Sequence, residues 1–201
     1  MINTAEIIHG VTGAWRIAMR DPDAARHFDL SERGFRHSFF GLALALPVLF
    51  LTTTSLWHIG SSDASIDLVG LDAFTAVQLG GTVLYWAIYL AVMSFVARHL
   101  ELGASYVPYV IVFNWGTLMT STLFALPLLL YALRLLDPSP AVMLTLPAFA
   151  ALVWYRWQIA RQVLGASPSS AAAILILDFA IGVLMDQGIA RLAFPTAGVS
   201  S

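Results

Sequence analysis

Asp178, Gly182 and Asp186 fall at i, i+4 and i+8 in the last apolar stretch of the chain, so a helix there carries two carboxylates and a glycine on one face. A carboxylate at mid-bilayer costs on the order of 2.5–3.5 kcal/mol on insertion scales, so such a group must face protein or water. Two chemistries are open to Asp178. Desolvation would raise its pKa and let it exchange a proton or ion during transport. Alternatively it is a packing group, hydrogen-bonded to Asn114 or paired with Arg156, that turns nothing over. Gly182 between the acids would admit a neighbouring helix closely. Asp186 lies nearer the end of the stretch, level with Gln78 and Thr82, and reads as a hydrated group.

A second polar line, Asn114, Thr117 and Ser121 at i, i+3 and i+7, lies inside Leu102–Leu133, a run of 32 residues without a formal charge. Counted from the side where both stretches begin, Asn114 and Asp178 should sit at similar depth. Arg156, near the end of the antiparallel stretch between them, can reach toward Asp178 or snorkel to the interface. The chain contains no H-E-x-x-H, G-x-S-x-G, P-loop or Gly-rich dinucleotide fingerprint, which argues against an enzyme. His9, His27, His37, His58 and His99 have no ligand spacing on one helix, and His27 with Asp29 reads as part of a solvated connector; no metal or cofactor is expected.

These residues need long apolar helices to position them, and the composition supplies them. Of 201 residues, 59% are hydrophobic and 11% charged, where a soluble domain carries about 25% charged. A bilayer core of roughly 30 Å needs about 20 apolar residues. Five stretches qualify: 39–57, 73–97, 106–133, 141–159 and 171–190. The fold class is therefore all-α, an integral membrane bundle of five transmembrane helices. Pro47, Pro127 and Pro147 interrupt three of the spans. Ser31 is placed to cap the helix entering the first span, and Ser167-Pro168 to open the fifth. Trp57, Trp154, Tyr155 and Trp157 near span ends fit interfacial anchoring, whereas Trp86 and Trp115 lie deeper and read as packing residues.

Residues 1–38 precede the first span. Asn3 with Glu6 forms a capping-box pattern, and Asp21-Pro22 marks a stop. Between them Ile7, Ile8, Val11, Ala14, Trp15, Ala18 and Met19 share one face, while Glu6, His9, Arg16 and Arg20 share another. Ile8, Val11, Trp15 and Met19, flanked by Arg16 and Arg20, suit a helix lying in the headgroup layer of the lipid bilayer. The alternative is a helix packed on the cytoplasmic ends of the bundle. No apolar signal-peptide core is visible here, so the first span should stay as an anchor.

The basic residues fix an orientation. All ten are Arg, which points to a GC-rich bacterial genome and so to an inner membrane. Arg16, Arg20, Arg26, Arg33, Arg36, Arg98, Arg156 and Arg161 fall on one side, and only Arg134 and Arg191 on the other. The positive-inside rule then makes the N-terminus cytoplasmic and the tail, 191–201, periplasmic. The loop at 58–72, with Asp63, Asp67 and Asp72 but no Arg, fits the outer side. A net charge of −2 gives no nucleic-acid footprint, and the absence of Cys excludes disulfides and thiol chemistry.

The start IIHGVTGAWRIAMRDP, the connector ending GFRHSFFGLALALP and the five closely spaced spans after it resemble the Ypt-interacting-protein (Yip) family of five-span membrane proteins. The layout is also similar to small inner-membrane proteins of GC-rich proteobacteria. The likeness covers most of the chain and is one of architecture. It implies a five-helix bundle with its N-terminus in the cytoplasm, and it brings no catalytic residues. Eukaryotic Yip proteins bind small GTPases in vesicle traffic, a partner that no residue here carries over. The expectation is a non-enzymatic accessory, assembly or adaptor module, working with a protein partner or as a homo-oligomer. The alternative is a small oligomeric proton- or ion-coupled transporter or channel with its polar centre at Asp178 and Asn114.

Overall fold

A computed structural model describes residues 4–61 and 70–193, with side chains through residue 189. Asn3, Asp63, Asp67, the side chain of Arg191 and the tail from 194 lie outside the described residues. The described chain is all helical. It comprises α1 (Thr4–Ala18), a 3-10 turn at Ala24–His27, α2 (Glu32–Ser61), α3 (Leu71–His99), α4 (Tyr106–Ala132), α5 (Pro138–Met143), α6 (Thr145–Gln162) and α7 (Pro168–Ala193). Five segments are long and apolar enough to cross a membrane: α2, α3, Gly103–Ala132, Pro138–Gln162 and Pro168–Ile189.

The helix ends follow local chemistry. Ser31 accepts the Gly34 N–H on its hydroxyl (3.2 Å), and Ser167 accepts that of Ser170 (3.1 Å), each satisfying an orphan donor at a helix start. Pro168 then occupies the first position of α7, where no N–H is needed. At the other ends, α1, α3 and α4 close on Arg20, Glu101 and Arg134, all in the left-handed region with φ of 60–61°. Each is followed by an N–H that reaches back five residues, to Arg16, Ala97 and Leu130. Glycine is the usual residue there, and Gly165 with φ +76° plays that part after α6.

Pro47 and Pro127 are carried inside uninterrupted helices, whereas the fourth span breaks at Leu144 into α5 and α6. Pro147 gives the reason. It cannot donate to the carbonyl four residues back, and that residue, Met143, is where α5 ends.

α4 is the central post. Residues 109–117 are all buried, a run no amphipathic helix would show. α2 lies alongside it: a Cβ on Gly41 would sit 2.8 Å from the Asn114 carbonyl oxygen, so only glycine permits this approach. α6 closes in the same way, because a Cβ on Gly116 would overlap the Tyr155 ring. α1 crosses the first half of α4 with Gly10 against Trp115.

Two stability predictions follow from these ends. Glu101→Gly should raise the unfolding midpoint in detergent, by the order of 1 kcal/mol that a left-handed non-glycine residue costs; an unchanged or lower midpoint would refute the strain. Asp29 accepts hydrogen bonds from the Ser31 side chain and backbone, which hold its carboxyl below the usual value. A lowered folded pKa gives stability that is present above the unfolded value of about 3.9 and fades as pH falls through the folded one. Asp29→Asn should therefore lower stability at neutral pH, where the ionised carboxyl contributes, and flatten the acid limb, so that variant and parent converge as pH falls below about 4.

Candidate functional site

Four helices meet at one guanidinium. Arg156 of α6 is 7% exposed and Asp178 of α7 is 9% exposed, so neither charge is hydrated. Arg156 Nε stands 3.7 Å from Asp178 Oδ2, and the Tyr85 hydroxyl of α3 donates to Asp178 Oδ1. On its other side the guanidinium lies 3.8 Å from the Phe113 ring centroid of α4 and 5.7 Å from that of Tyr89. The rings are themselves ordered. Tyr85 stacks on Tyr89 and Tyr89 on Phe113, while the Tyr89 and Tyr109 hydroxyls share a 2.6 Å hydrogen bond. A buried cation is thus balanced by one carboxylate and by aromatic faces, each worth about 2 kcal/mol or more when desolvated. Arg156 Nη1 is buried without a hydrogen-bond partner.

Asn114 belongs to a different tie. Its Nδ2 donates to Ser38 Oγ of α2 (2.9 Å), and Ser38 Oγ donates to the Phe35 carbonyl (2.7 Å). Thr117 turns its hydroxyl back to the Phe113 carbonyl (2.9 Å) and Thr120 to that of Gly116 (2.9 Å), so this part of the polar line satisfies its own helix. Ser121 is half-buried one turn further on. Arg156 bridges toward both positions, its guanidinium lying over Phe113, the chain neighbour of Asn114, and its Nε facing Asp178. Asn114 and Asp178 are not partners: Asp178 takes Arg156 and Tyr85, and Asn114 takes Ser38.

From this cluster a groove of about 600 Å³ runs between α6 and α7, with Tyr85, Arg156 and Asp178 at one end and Asp186 and Gln187 at the other. Phe149, Val153 and Phe179 are among its apolar walls. Gly182 lines this groove, and nothing lies within 4 Å of where its Cβ would be. The expectation that Gly182 brings a helix close is corrected; the close approaches are at Gly41 and Gly116. Asp186 also borders a smaller cavity of about 160 Å³ with Gln78 and Thr82.

α1 has two apolar faces. Gly10, Gly13, Ala14 and Ile17 are buried against the bundle, and Ile8, Trp15 and Met19, each 58% exposed, form the opposite side. At 100° per residue those three fall within about 40° of one another. Val11 is half-buried on one flank; Glu6, His9 and Arg16 occupy the other. Glu6 ties the helix to α2 through Arg33 (2.9 Å) and His37 (3.2 Å), while Arg16 pairs with Asp21 (3.0 Å). The far end is capped from α6: Gln162 donates to the Ile17 carbonyl (3.0 Å) and Trp154 to that of Ala18 (3.1 Å), with Arg20 over the Trp154 ring at 4.5 Å.

The chain fold also gathers His9, His27 and His37 with Glu6 and Asp29 around a cavity of about 240 Å³. The separation of these residues in sequence hid that grouping. Among the described residues no three His or acidic groups converge with metal-binding geometry. Tyr85, Tyr89, Tyr109 and Ser38 are the members of the buried ties that sequence reasoning did not name. The available signal was hydroxyls at i, i+4 (Tyr85, Tyr89) inside an apolar span.

No family model, curated protein or solved structure matches the chain. The site must therefore be read from its own chemistry. If Arg156 and Asp178 compensate each other, each single neutralisation strands a buried charge. Asp178→Asn and Arg156→Met should each cost about 3–5 kcal/mol, and Arg156→Met/Asp178→Leu together far less than the sum. A double-mutant cycle on unfolding in detergent measures this; additive losses would show that the charges do not interact.

Proposed function

We propose that the chain is a non-enzymatic, multi-pass protein of a bacterial inner membrane that serves as an accessory, assembly or adaptor module, Yip-like in architecture. The observation that carries this reading is that the polar groups at the centre of the bundle bond chiefly to one another or to their own helix, although Arg156 Nη1 and Asn114 Oδ1 are left without a hydrogen-bond partner. Arg156, Asp178 and Tyr85 form one knot, Asn114 and Ser38 a second, and the threonines bond their own helix. The packed rings of Phe113, Tyr89 and Tyr109 fill the space beside them. Such groups hold helices together.

The same register supports a depth for the knot. α2 is charged up to His37 and apolar from Phe39, and Ser38 is bonded to Asn114. From Ser38 to Trp57 a helix rises about 29 Å, as does one from Asn114 to Leu133, which matches a bilayer core of roughly 30 Å. The ties then lie at the cytoplasmic edge of the hydrocarbon, where a charge costs less than at the midplane. α1 fits the headgroup layer: its charged flank turns to water, its Val11 flank toward the hydrocarbon, and Ile8, Trp15 and Met19 outward into lipid.

A second reading is favoured by the groove that links Asp178 to Asp186: a small oligomeric proton- or ion-coupled transporter. Two measurements separate the readings. The tagged protein, drawn from membranes in mild detergent and weighed, should bring down a stoichiometric protein partner. A clean homo-oligomer whose flux in proteoliposomes is lost in Asp178→Asn would overturn the accessory reading. Orientation has its own test, because the chain has no cysteine. Ser139→Cys should react with an impermeant maleimide in spheroplasts and Ala25→Cys only after lysis; the reverse pattern would invert the topology.

A further inference from the structure

A cavity of about 750 Å³ lies away from the Arg156 knot, under the α1 end and between α4 and α6. Its walls include Ile17, Phe28, Pro108, Val112 and Trp157, and its polar lining includes Gln158, Arg20 and Arg161. Gln158 is 3% exposed, and its Nε2 has no hydrogen-bond partner. The orientation of that amide is fixed. Gln162 Nε2 donates to Gln158 Oε1 (3.1 Å) and to the Ile17 carbonyl (3.0 Å), so the Gln158 oxygen is occupied and its N–H₂ is left over. A buried donor without an acceptor costs about 1–3 kcal/mol, and a bound acceptor would recover it.

Charge and depth narrow the occupant. Two guanidinium-bearing residues, Arg20 and Arg161, line the cavity with one carboxylate, Asp21, which is already paired by Arg16 from outside the lining. Arg161 gives one N–H to the Ala166 carbonyl and Arg20 stacks on Trp154, so both keep further donors. Pro108 and Val112 precede Asn114 by six and two residues, which puts the cavity about 3–9 Å below the hydrocarbon edge proposed above. That is the headgroup layer, about 5–7 Å thick on each side of the core.

We propose that this cavity seats one anionic phospholipid of the cytoplasmic leaflet. Arg20 and Arg161 bind its phosphate, Gln158 Nε2 donates to an ester carbonyl, and the apolar walls take the chain root. Basic pockets between membrane helices on this side bind anionic headgroups by the same chemistry. The inference rests on the membrane placement of the chain and not on whether it is an adaptor or a transporter.

The test uses the whole protein in nanodiscs of phosphatidylcholine with or without phosphatidylglycerol, followed by native mass determination of retained lipid. Both leaflets are present, so the result does not depend on orientation, which the maleimide labelling decides separately. One phosphatidylglycerol should be retained in preference to phosphatidylcholine. Arg20→Gln and Arg161→Gln should each lower that preference about fivefold, the weight of one basic residue near an anionic surface. Gln158→Leu should weaken retention of the lipid with the charge preference kept. Chain-brominated phosphatidylglycerol should quench the part of the emission that Trp157→Phe removes. Should Arg161→Gln fail to fold, Arg20→Gln and Gln158→Leu decide alone. Equal retention of both lipids, a preference unchanged in the variants, or displacement by inorganic phosphate at millimolar concentration would each overturn the proposal.

Discussion

The Arg156 guanidinium is the point at which the bundle is joined. α6 contributes the cation, α7 the carboxylate, α3 the hydroxyl that holds the carboxylate, and α4 the ring beneath. Burying one unpaired charge would cost several kcal/mol, so no member of this set can move without stranding another. That mutual dependence fixes both the rotation and the axial register of α6 and α7. Helices packed only by apolar side chains in lipid would lack such a constraint, because lipid tails are as apolar as leucine. The glycines do complementary work: Gly41 and Gly116 let α2 and α6 reach α4 closely enough for the polar groups to meet.

Around that joint the outward surfaces of the helices differ in composition. On α7 the outward face is apolar, with Ile176, Phe179 and Leu184 widely exposed. Residues 109–113 of α4 are all buried, and α4 packs chiefly against α2, α6 and α1, with the Arg156 guanidinium over the Phe113 ring. α2, α3 and α4 have 30, 29 and 27 residues, about 40–45 Å, which exceeds a bilayer core by about two to three turns. The surplus is where α1 docks, so helix length and the N-terminal helix answer to one another.

Much of this was written plainly in the chain. Five apolar runs, the Ser31 and Ser167 caps and the Asp21-Pro22 stop follow from local rules, and local rules need no partner. Arg156 was legible as one candidate partner of Asp178, with snorkelling to the interface as its other option. Their geometry was not. Whether Asp178 meets Asn114 or Arg156 depends on the rotation of α7 about its axis, and a span whose apolar residues run all round carries almost no rotational signal. Gly182 misled for the same reason: a glycine in an apolar helix marks either a close neighbour or an open groove, and only the packing tells which. α1 was harder still. Its pattern predicts one apolar face, whereas Gly10, Gly13 and Ala14 make a second out of small residues that a hydrophobic count passes over.

That second face bears on what α1 can do. A helix that only floats in the headgroups needs one greasy stripe and is free to leave. One that is small-sided toward the bundle, tied by Glu6 to Arg33 and His37 and capped by Gln162 and Trp154, is part of the fold. Its outer stripe of Ile8, Trp15 and Met19 is then held at a fixed height and angle beside the Arg20 end of the large cavity. The exposed stripe and the cavity beneath the same helix are therefore coupled through α1, because lifting the helix would open the cavity and uncap the Ile17 and Ala18 carbonyls together.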